Sequence, residues 1–173
     1  DEVNLNWQVL SKAKDKTGRT VVFVVAYPKN IINKYIKVLE QAGLKVKALE
    51  TEIIASTRSL VGNNPFSPTT LIAQMGSTTT DFAVVSKGLI LLTRSISTGG
   101  LALTRAIASH FNFEVNQAEE YKKVYGLLED QLEGQVFKAL KGVVDVILDE
   151  TKRVKQAFQM KNQQKLIKTM VLS

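Results

Sequence analysis

Residues 71–81 read Leu-Ile-Ala-Gln-Met-Gly-Ser-Thr-Thr-Thr-Asp, and this stretch decides the fold. The apolar run from Thr70 to Met75 predicts a short strand. Gly76 to Thr80 are small turn-forming residues, and Phe82 to Ser86 make a second apolar run. The stretch therefore predicts a strand, a tight polar turn and a returning strand.

The turn between these two strands has the composition of an anion-binding loop. Gly76 has no side chain, so a phosphate can approach its backbone closely. Ser77 and Thr78 offer hydroxyls and backbone N–H groups, and successive N–H groups in a turn form a concavity for anions. Asp81 can bind a magnesium ion or a water, or simply hold the loop. Taken alone, the stretch also fits an ordinary hairpin with a polar tip.

Further features follow this loop along the chain. Lys87-Gly88 predicts a two-residue hairpin turn into a third strand from Leu89 to Arg94. Gly99-Gly100 opens a helix whose N-terminus can attract anions; the alternative is a tight packing turn between strand and helix. Glu119 and Lys122 share one face of a later helix, because they are three residues apart. There they can reach a ribose hydroxyl and a nucleobase, or form a solvent-exposed ion pair.

The N-terminal third of the chain has a different order of elements. Val3 to Lys12 alternates apolar and polar residues and predicts a half-buried strand, while Val21 to Ala26 is a β-branched run typical of a buried strand. Ile31 to Gln41 has helical periodicity. Leu44 to Leu49 alternates again and predicts a third strand, and Glu52 to Val61 predicts a helix.

The segment from Gly62 to Pro68 is the clearest linker, because its two prolines, glycine and two asparagines leave little room for regular structure. It divides the chain into residues 1–62, a small subdomain with its linking helix, and residues 69–173. In the second part, a long helix from Gln131 to about Met160 has the spacing of a helix packed on a sheet. A heptad zipper is the alternative, which Gly134 and Gly142 weaken. A last strand is predicted from Lys165 to Leu172.

Composition excludes several classes of function. The chain has no cysteine, so disulfides and thiolate metal sites are ruled out, and this absence fits a cytoplasmic protein. The net charge of +7 comes from scattered lysines, which favour a solvated surface over a weak attraction to anionic lipid or nucleic acid. Aromatic residues are not interleaved with the basic ones, so no nucleic-acid partner is expected. The single histidine, His110, favours a surface or helix-end role over membership of a Ser-His-Asp site.

Four segments together resemble the superfamily of actin, the sugar kinases and the heat-shock chaperone ATPases, and within it the PilM family of type IV pilus assembly. Residues 71–81 are similar to the second phosphate loop of that superfamily, and residues 94–108 to the PilM and FtsA segment after it. Residues 118–126 are similar to its nucleotide-side helix. Residues 45–60 resemble the strand and helix that lead out of the small extra subdomain of PilM and FtsA.

The resemblance implies an α/β fold, in which an α+β extra subdomain precedes an actin-like, ribonuclease-H-like lobe with a mixed sheet flanked by helices. It also implies ATP or ADP with Mg²⁺ as the cofactor, bound between two lobes, with Asp81 as the metal residue and no catalytic residue assigned. The nucleotide-binding residues that it implies are Gly76, Ser77, Thr78, Thr79, Asp81, Gly99, Gly100, Glu119 and Lys122.

The same resemblance implies a partner and a place in the cell. In this family the cleft around the extra subdomain holds the short cytoplasmic tail of PilN, a membrane protein. The expectation is a cytoplasmic scaffold of pilus assembly that also meets other pilus assembly proteins and contacts the inner membrane only through partners. The alternatives are an active ATPase of the same fold and an FtsA-like filament protein of cell division.

Two departures from the family pattern favour the scaffold. Gln74 stands where the family has an aspartate that holds magnesium through water, so metal binding and hydrolysis should both weaken. The first phosphate loop and the glycine pair expected after Ser173 are not in the sequence, so we expect the middle of a longer protein. These departures predict weak or no ATPase activity.

Overall fold

The computed structural model describes residues 2–10, 18–62, 64, 66–163 and 165–173. Strands β1 to β6 and helices α1 to α5 follow in the order β1 Val3–Val9, β2 Val22–Pro28, α1 Lys29–Gln41, α2 Glu52–Leu60, β3 Thr70–Met75, β4 Thr80–Ser86, β5 Leu89–Ile96, α3 Gly100–Phe111, α4 Val115–Tyr125, α5 Gln135–Lys161 and β6 Thr169–Leu172. None of the helices in these residues has the length and apolar character needed to cross a membrane.

The larger sheet has the strand order β5-β4-β3-β6. Strands β3, β4 and β5 form an antiparallel meander, whereas β6 runs parallel to β3. The turn between β4 and β5 uses Lys87 and Gly88, both with left-handed backbone at φ 54° and 75°, as a two-residue hairpin requires. This mixed sheet confirms the α/β class expected from the sequence.

Helices cover both faces of that sheet. Each face presents apolar side chains to them, because successive residues of a strand point to opposite sides. On one face α5 packs against β3 and β4, in a cluster of Leu71, Ala73, Phe82, Val84, Ile147, Val154 and Phe158. On the other face α2 packs against Ile72, Ala83 and Val85 through Ile53 and Ile54. Burial of a side chain as large as Phe82 contributes about 2–3 kcal/mol. The prediction of a long helix packed on a sheet, rather than a zipper, is confirmed.

A third cluster joins α3, α4 and the first half of α5. Its buried members are Ile107, Ala118, Val136 and Leu140. The long helix begins four residues later than predicted, at Gln135, after a short 3₁₀ turn at Leu132–Gly134. His110 lies in the last turn of α3, where it is exposed and meets Phe111 edge-on at 4.8 Å. This is the helix-end position that the sequence favoured.

The hairpin of β1 and β2 is more open than predicted. The prediction of a half-buried β1 is wrong, because its apolar residues Val3, Leu5, Trp7 and Val9 are 40–65% exposed. They share one face of the hairpin, whereas Phe23, Val25 and Tyr27 of β2 lie on the other face and line a groove with α1. The strand ends at Val9, and the predicted extension to Lys12 and most of the turn after it lie outside the described residues.

The predicted third strand from Leu44 to Leu49 is wrong, since residues 44–51 have no regular structure. Helix α1 is followed by Gly43, which has left-handed backbone at φ 74°. Next to it, the N–H of Leu44 donates to the carbonyl of Leu39 at 3.0 Å. The chain then runs beside the groove to α2 without pairing to either hairpin strand. Alternation of apolar and polar residues indicates which side chains can be buried, but a strand also needs a neighbouring strand with a free edge to pair with.

The predicted linker contains no helix or strand among its described residues. Gly62 adopts left-handed backbone at φ 67°, and the N–H of Ser67 donates to the carbonyl of Asn64 at 3.1 Å. Asn63 and Pro65 lie outside the described residues. Helix α2, which we assigned to the first unit, packs on the sheet of the second. The division at residues 62–69 stays a prediction.

Candidate functional site

The loop after β3 is locked onto the start of α3. The N–H of Gly76 donates to the carbonyl of Thr79 at 2.8 Å and closes the turn. The N–H groups of Gly100 and Leu101 donate to the carbonyls of Gly76 and Ser77 at 2.9 and 2.8 Å. Those first donors of α3 are therefore used within the chain rather than left for an anion.

Gly99 is required by this contact for steric reasons. A Cβ built on Gly99 would stand 2.5 Å from the carbonyl oxygen of Gly76 and 2.8 Å from that of Ser77. A Cβ on Gly100 would meet nothing closer than 3.6 Å, which is ordinary contact. The geometry supports the packing role that was the alternative for this glycine pair. A contact between these glycines and a nucleotide remains a prediction.

The tip of the loop keeps free donors. Among the described residues, the backbone N–H groups of Ser77, Thr78 and Thr79 donate to no acceptor. Ser77 and Thr78 are exposed, and their hydroxyls make no hydrogen bond to the described residues. Consecutive free N–H groups of this kind form an anion-binding concavity, so the tip fits a phosphate group.

A row of polar side chains crosses the sheet next to this loop. Asp81 lies opposite both Gln74 of β3 and Ser95 of β5. Ser173 lies beside Gln74, because its N–H donates to the carbonyl of Ala73 at 2.9 Å and its carbonyl accepts from Met75 at 2.8 Å. Side chains of directly paired residues emerge on the same face, here the face covered by α2.

Sequence reasoning found Gln74 and Asp81 but missed Ser95 and Ser173 as members of this row. Counting back from the Lys87-Gly88 turn would have paired Asp81 with residue 94. A register shift between Val84 and Val85 moves the pairing to Ser95. Because β-bulges carry no reliable sequence signal here, only the structure supplies that partner.

The row offers oxygen ligands but little charge. The side-chain oxygen Oε1 of Gln74 is buried and has no hydrogen-bond partner in the described residues. Asp81 has one contact, with the hydroxyl of Thr79 at 3.4 Å. An orphaned oxygen beside a carboxylate fits a hydrated Mg²⁺, which accepts oxygen ligands and retains waters. With one carboxylate, however, the row fits the metal only weakly, and no group of three His, Cys, Asp or Glu side chains occurs in the described residues.

Glu119 and Lys122 of α4 lie against the start of α3, which in turn contacts the loop at Gly76. The Nζ of Lys122 donates to Glu119 Oε2 at 2.6 Å, to the hydroxyl of Thr104 at 2.9 Å and to the carbonyl of Gly100 at 3.1 Å. The pair therefore links α4 to the start of α3 instead of facing only solvent. The structure thus places both residues against the start of α3, and their contact with a ribose or a nucleobase stays a prediction.

Thr104 completes this cluster, although no role was predicted for it. Its hydroxyl is buried and lies 2.5 Å from Glu119 Oε2. Hydrogen bonds from Lys122 and then from Thr104 hold the pKa of Glu119 below its ordinary value. All three ammonium protons of Lys122 have acceptors, so this side chain must exchange one of them to bind a ligand.

A groove of about 640 Å³ separates the hairpin from α2. Its apolar walls come from Phe23, Val25, Tyr27, Ile32, Tyr35, Leu39, Leu49, Ile54 and Ile90. From the sequence alone, the apolar faces of Val21 to Tyr27 and Ile31 to Gln41 favour ordinary core over a peptide groove. No residue of α1 is fully buried, and its apolar face lines the groove. The contributions of Leu49 and Ile90 were not predicted, because they come from distant parts of the chain.

Comparisons with known proteins agree on one fold. Cell division protein FtsA of Enterococcus faecalis (strain ATCC 700802 / V583) is 30% identical over 119 residues, 65% of this chain and 27% of that protein. A chain of a solved PilM-PilN type IV pilus biogenesis complex superposes with a TM-score of 0.75 at 23% identity, over 98% of this chain and 48% of the other. MreB5 of Spiroplasma citri bound to ADP has a TM-score of 0.64 at 19% identity, over 85% of this chain and 54% of that one.

These likenesses confirm the actin-like fold expected from the sequence. The chain spans about half of the solved structures and about a quarter of the FtsA protein that it matches. The family described as type IV pilus assembly protein PilM matches residues 1–173, the full length of the sequence. The chain therefore belongs to the PilM family of type IV pilus assembly proteins.

Proposed function

We propose that this chain is part of a nucleotide-binding scaffold of type IV pilus assembly, and that it binds the cytoplasmic tail of a PilN-like inner-membrane protein. Membership of the PilM family supports a role in type IV pilus assembly. A relative of the same fold has been solved as a PilM-PilN complex, which supports the class of partner. The open groove between β2, α1 and α2 is the observation that carries the proposal.

The groove has the properties of a peptide site. It presents aromatic and aliphatic side chains along a channel bounded by a hairpin and two helices, as peptide-binding grooves do. Glu52 lies at its lining in the first turn of α2. A carboxylate there suits a basic side chain, and cytoplasmic segments next to membrane spans are enriched in Lys and Arg. We therefore expect the bound tail to carry apolar anchors beside at least one basic residue.

The nucleotide part of the proposal concerns the loop at Gly76. ATP or ADP would place its phosphates on the free N–H groups of Ser77, Thr78 and Thr79, with Asp81 on the metal side. Glu119 and Lys122 would meet the nucleoside beside the start of α3. The ADP complex of MreB5 supports a nucleotide in this fold. When bound, the nucleotide supplies phosphate charge and a hydrated Mg²⁺ to the loop.

Hydrolysis would be weak, because Gln74 brings no charge to the polar row. An amide oxygen binds Mg²⁺ less strongly than a carboxylate and cannot serve as a general base. The proposed role of the nucleotide is therefore to hold the lobes in one arrangement for the partner, which needs binding and no turnover. Strong turnover would instead support an active ATPase.

The partner proposal is tested on the full-length protein with a synthetic peptide of the PilN-like tail, by isothermal calorimetry. Tyr35 and Val38 are both 64% exposed on α1, but only Tyr35 lines the groove. Tyr35→Lys should weaken binding at least about tenfold, as loss of an aromatic anchor does. Val38→Lys should leave the affinity nearly unchanged. Absence of binding, or an equal loss in both variants, would contradict the proposal.

The nucleotide proposal needs separate measurements. Calorimetry with ATP and ADP should show binding, while phosphate release should stay close to the rate without enzyme. Fast phosphate release that disappears in Asp81→Ala would support an ATPase and contradict the scaffold. Polymers that form on addition of ATP would instead support a filament protein.

A further inference from the structure

A second cavity lies far along the chain from the groove, at the open end of the α3–α4–α5 cluster. Its volume is about 290 Å³, and its walls include Phe111, Phe113 and Tyr121. Phe111 and Phe113 stack at 5.2 Å, and Tyr121 meets Phe113 edge-on at 4.8 Å. Leu132 and Glu133 complete the wall from the segment before α5. The cavity is thus an aromatic pocket with a carboxylate on one side.

The segment that contributes Leu132 and Glu133 to the pocket has a charge opposite to that of the chain as a whole. Residues 126–137 contain Glu129, Asp130 and Glu133 and no lysine or arginine, in a chain of net charge +7. Within the described part of the chain, no basic side chain forms an ion pair with any of the three carboxylates. Their field is therefore available to a positively charged ligand.

Apolar side chains are exposed in the same segment. Val124, Leu127, Leu128 and Leu132 are 45–63% exposed. A group of exposed apolar residues bordered by polar ones, here carboxylates, marks a surface that meets another polypeptide. The segment therefore combines an aromatic pocket, apolar contacts and uncompensated negative charge.

Backbone conformation fixes Leu132 and Glu133 at the pocket. Both have left-handed backbone, with φ of 47° and 53°, which is unfavourable for residues other than glycine. Gly134 continues this conformation at φ 68°, and a Cβ on it would stand 3.1 Å from the carbonyl oxygen of Glu129. Unfavourable conformations of this kind are found at ligand-binding segments. They keep Glu133, which is exposed, in the wall of the cavity.

We propose that this pocket is a second docking site, which takes a lysine or arginine side chain from a basic, apolar segment of a partner protein. The aliphatic stem of such a side chain packs on aromatic rings while its cationic end stays at the polar mouth. The faces of Phe111, Phe113 and Tyr121 attract the cation, and Glu133 pairs with it. The neighbouring leucines accept the apolar residues of the same segment.

The site is tested on the full-length protein by fluorescence anisotropy. The probes are a short labelled peptide that alternates lysine with leucine and a twin with glutamate in place of lysine. The lysine peptide should bind and the glutamate peptide should not. Glu133→Gln should weaken binding about fivefold, the effect expected when one partly desolvated ion pair is lost.

Controls separate this site from the groove and from general charge attraction. The groove also suits a basic, apolar peptide and is lined by Glu50 and Glu52, so binding at the pocket is followed by NMR shifts of Phe113 and Tyr121. Glu52→Gln should leave the affinity measured from those shifts unchanged. Leu132→Ser, at an exposed position, should weaken binding without lowering the melting temperature. Equal binding of both peptides, insensitivity to Glu133→Gln, or a dimer of the protein that dissociates on Glu133→Gln would each overturn the proposal.

Discussion

Gly99 lies against Gly76 so closely that a Cβ on Gly99 would be 2.5 Å from the Gly76 carbonyl oxygen. The neighbouring N–H of Gly100 donates to that same oxygen at 2.9 Å. Helix α3 and the loop at Gly76 are thus joined by backbone atoms, and the absence of a side chain at Gly99 allows the contact. The position of the loop therefore depends on this residue more than on any side chain of the loop.

The first prediction concerns the two adjacent glycines. Gly99→Ala should destabilise the fold by about 2–3 kcal/mol, because the loop must move and two hydrogen bonds to α3 are lost. Gly100→Ala is the matched control and should be neutral or stabilising, since alanine is the better helix former and has room there. Thermal denaturation of both variants measures the difference. Equal melting temperatures would show that the loop is not held by this contact.

The second prediction concerns pH and Glu119. Its pKa is lowered in the folded protein by Lys122 and Thr104, so the ionised carboxylate stabilises the fold. That stabilisation is present above the unfolded value of about 4.3 and is lost as the pH falls through the lowered folded value. Glu119→Gln should therefore reduce stability at pH 7, and the difference from wild type should disappear as the pH falls through the lowered pKa of the folded protein.

Urea denaturation at neutral and acid pH provides the measurement for Glu119. Glu120→Gln is the control, because Glu120 pairs with Lys123 on an exposed surface of the same helix. Such pairs contribute little to stability, so this variant should resemble wild type at both pH values. A pH-independent effect of Glu119→Gln would mean that its contact with Thr104 matters for packing alone.

Much of the fold could be predicted, because its signals are local. The run before Gly76, the Lys87-Gly88 turn and the spacing along α5 each specify one element from neighbouring residues. The prediction of a strand from Leu44 to Leu49 was wrong, because strand formation there depends on a contact that is not local. Its alternation is a local property, whereas pairing depends on whether a distant strand presents a free edge.

The candidate site shows the same limit. Gly76, Ser77 and Asp81 are consecutive or nearly so, so their loop could be recognised in the sequence. Thr104 could not, because its contact with Glu119 depends on how α3 and α4 cross. Ser95 depends on a register shift in β5, which changes which residue faces Asp81. Packing between distant parts of the chain determines these positions, and a single sequence does not reveal that packing.

The third prediction concerns a buried carboxylate on the opposite face of the sheet. Glu150 of α5 is 5% exposed and pairs with Arg94 of β5 and, at 3.4 Å, with Arg153, which are 52% and 67% exposed. Arg94→Gln leaves that carboxylate with its weaker partner and should cost about 2 kcal/mol, less than the roughly 3–5 kcal/mol for a fully buried pair because Arg94 is half exposed. Arg153→Gln should cost less than about 1 kcal/mol. Chemical denaturation measures which of the two substitutions is more destabilising. An equal loss of stability would show that Arg94 is not the main counterion of Glu150.

The last prediction concerns the charge missing from the polar row. Gln74 is directly opposite Asp81, so Gln74→Asp places two carboxylates on one face of an antiparallel pair. Without metal they repel, and the variant should be less stable than Gln74→Asn by about 0.5–1 kcal/mol, since these two side chains have the same shape. Mg²⁺ binds paired carboxylates, so it should raise the melting temperature of Gln74→Asp and leave that of Gln74→Asn unchanged. Calorimetric scans with Mg²⁺ or with a chelator measure both effects. If Mg²⁺ fails to distinguish the two variants, then Asp81 does not face a metal position, and the weak magnesium binding proposed for this loop must have a cause other than Gln74.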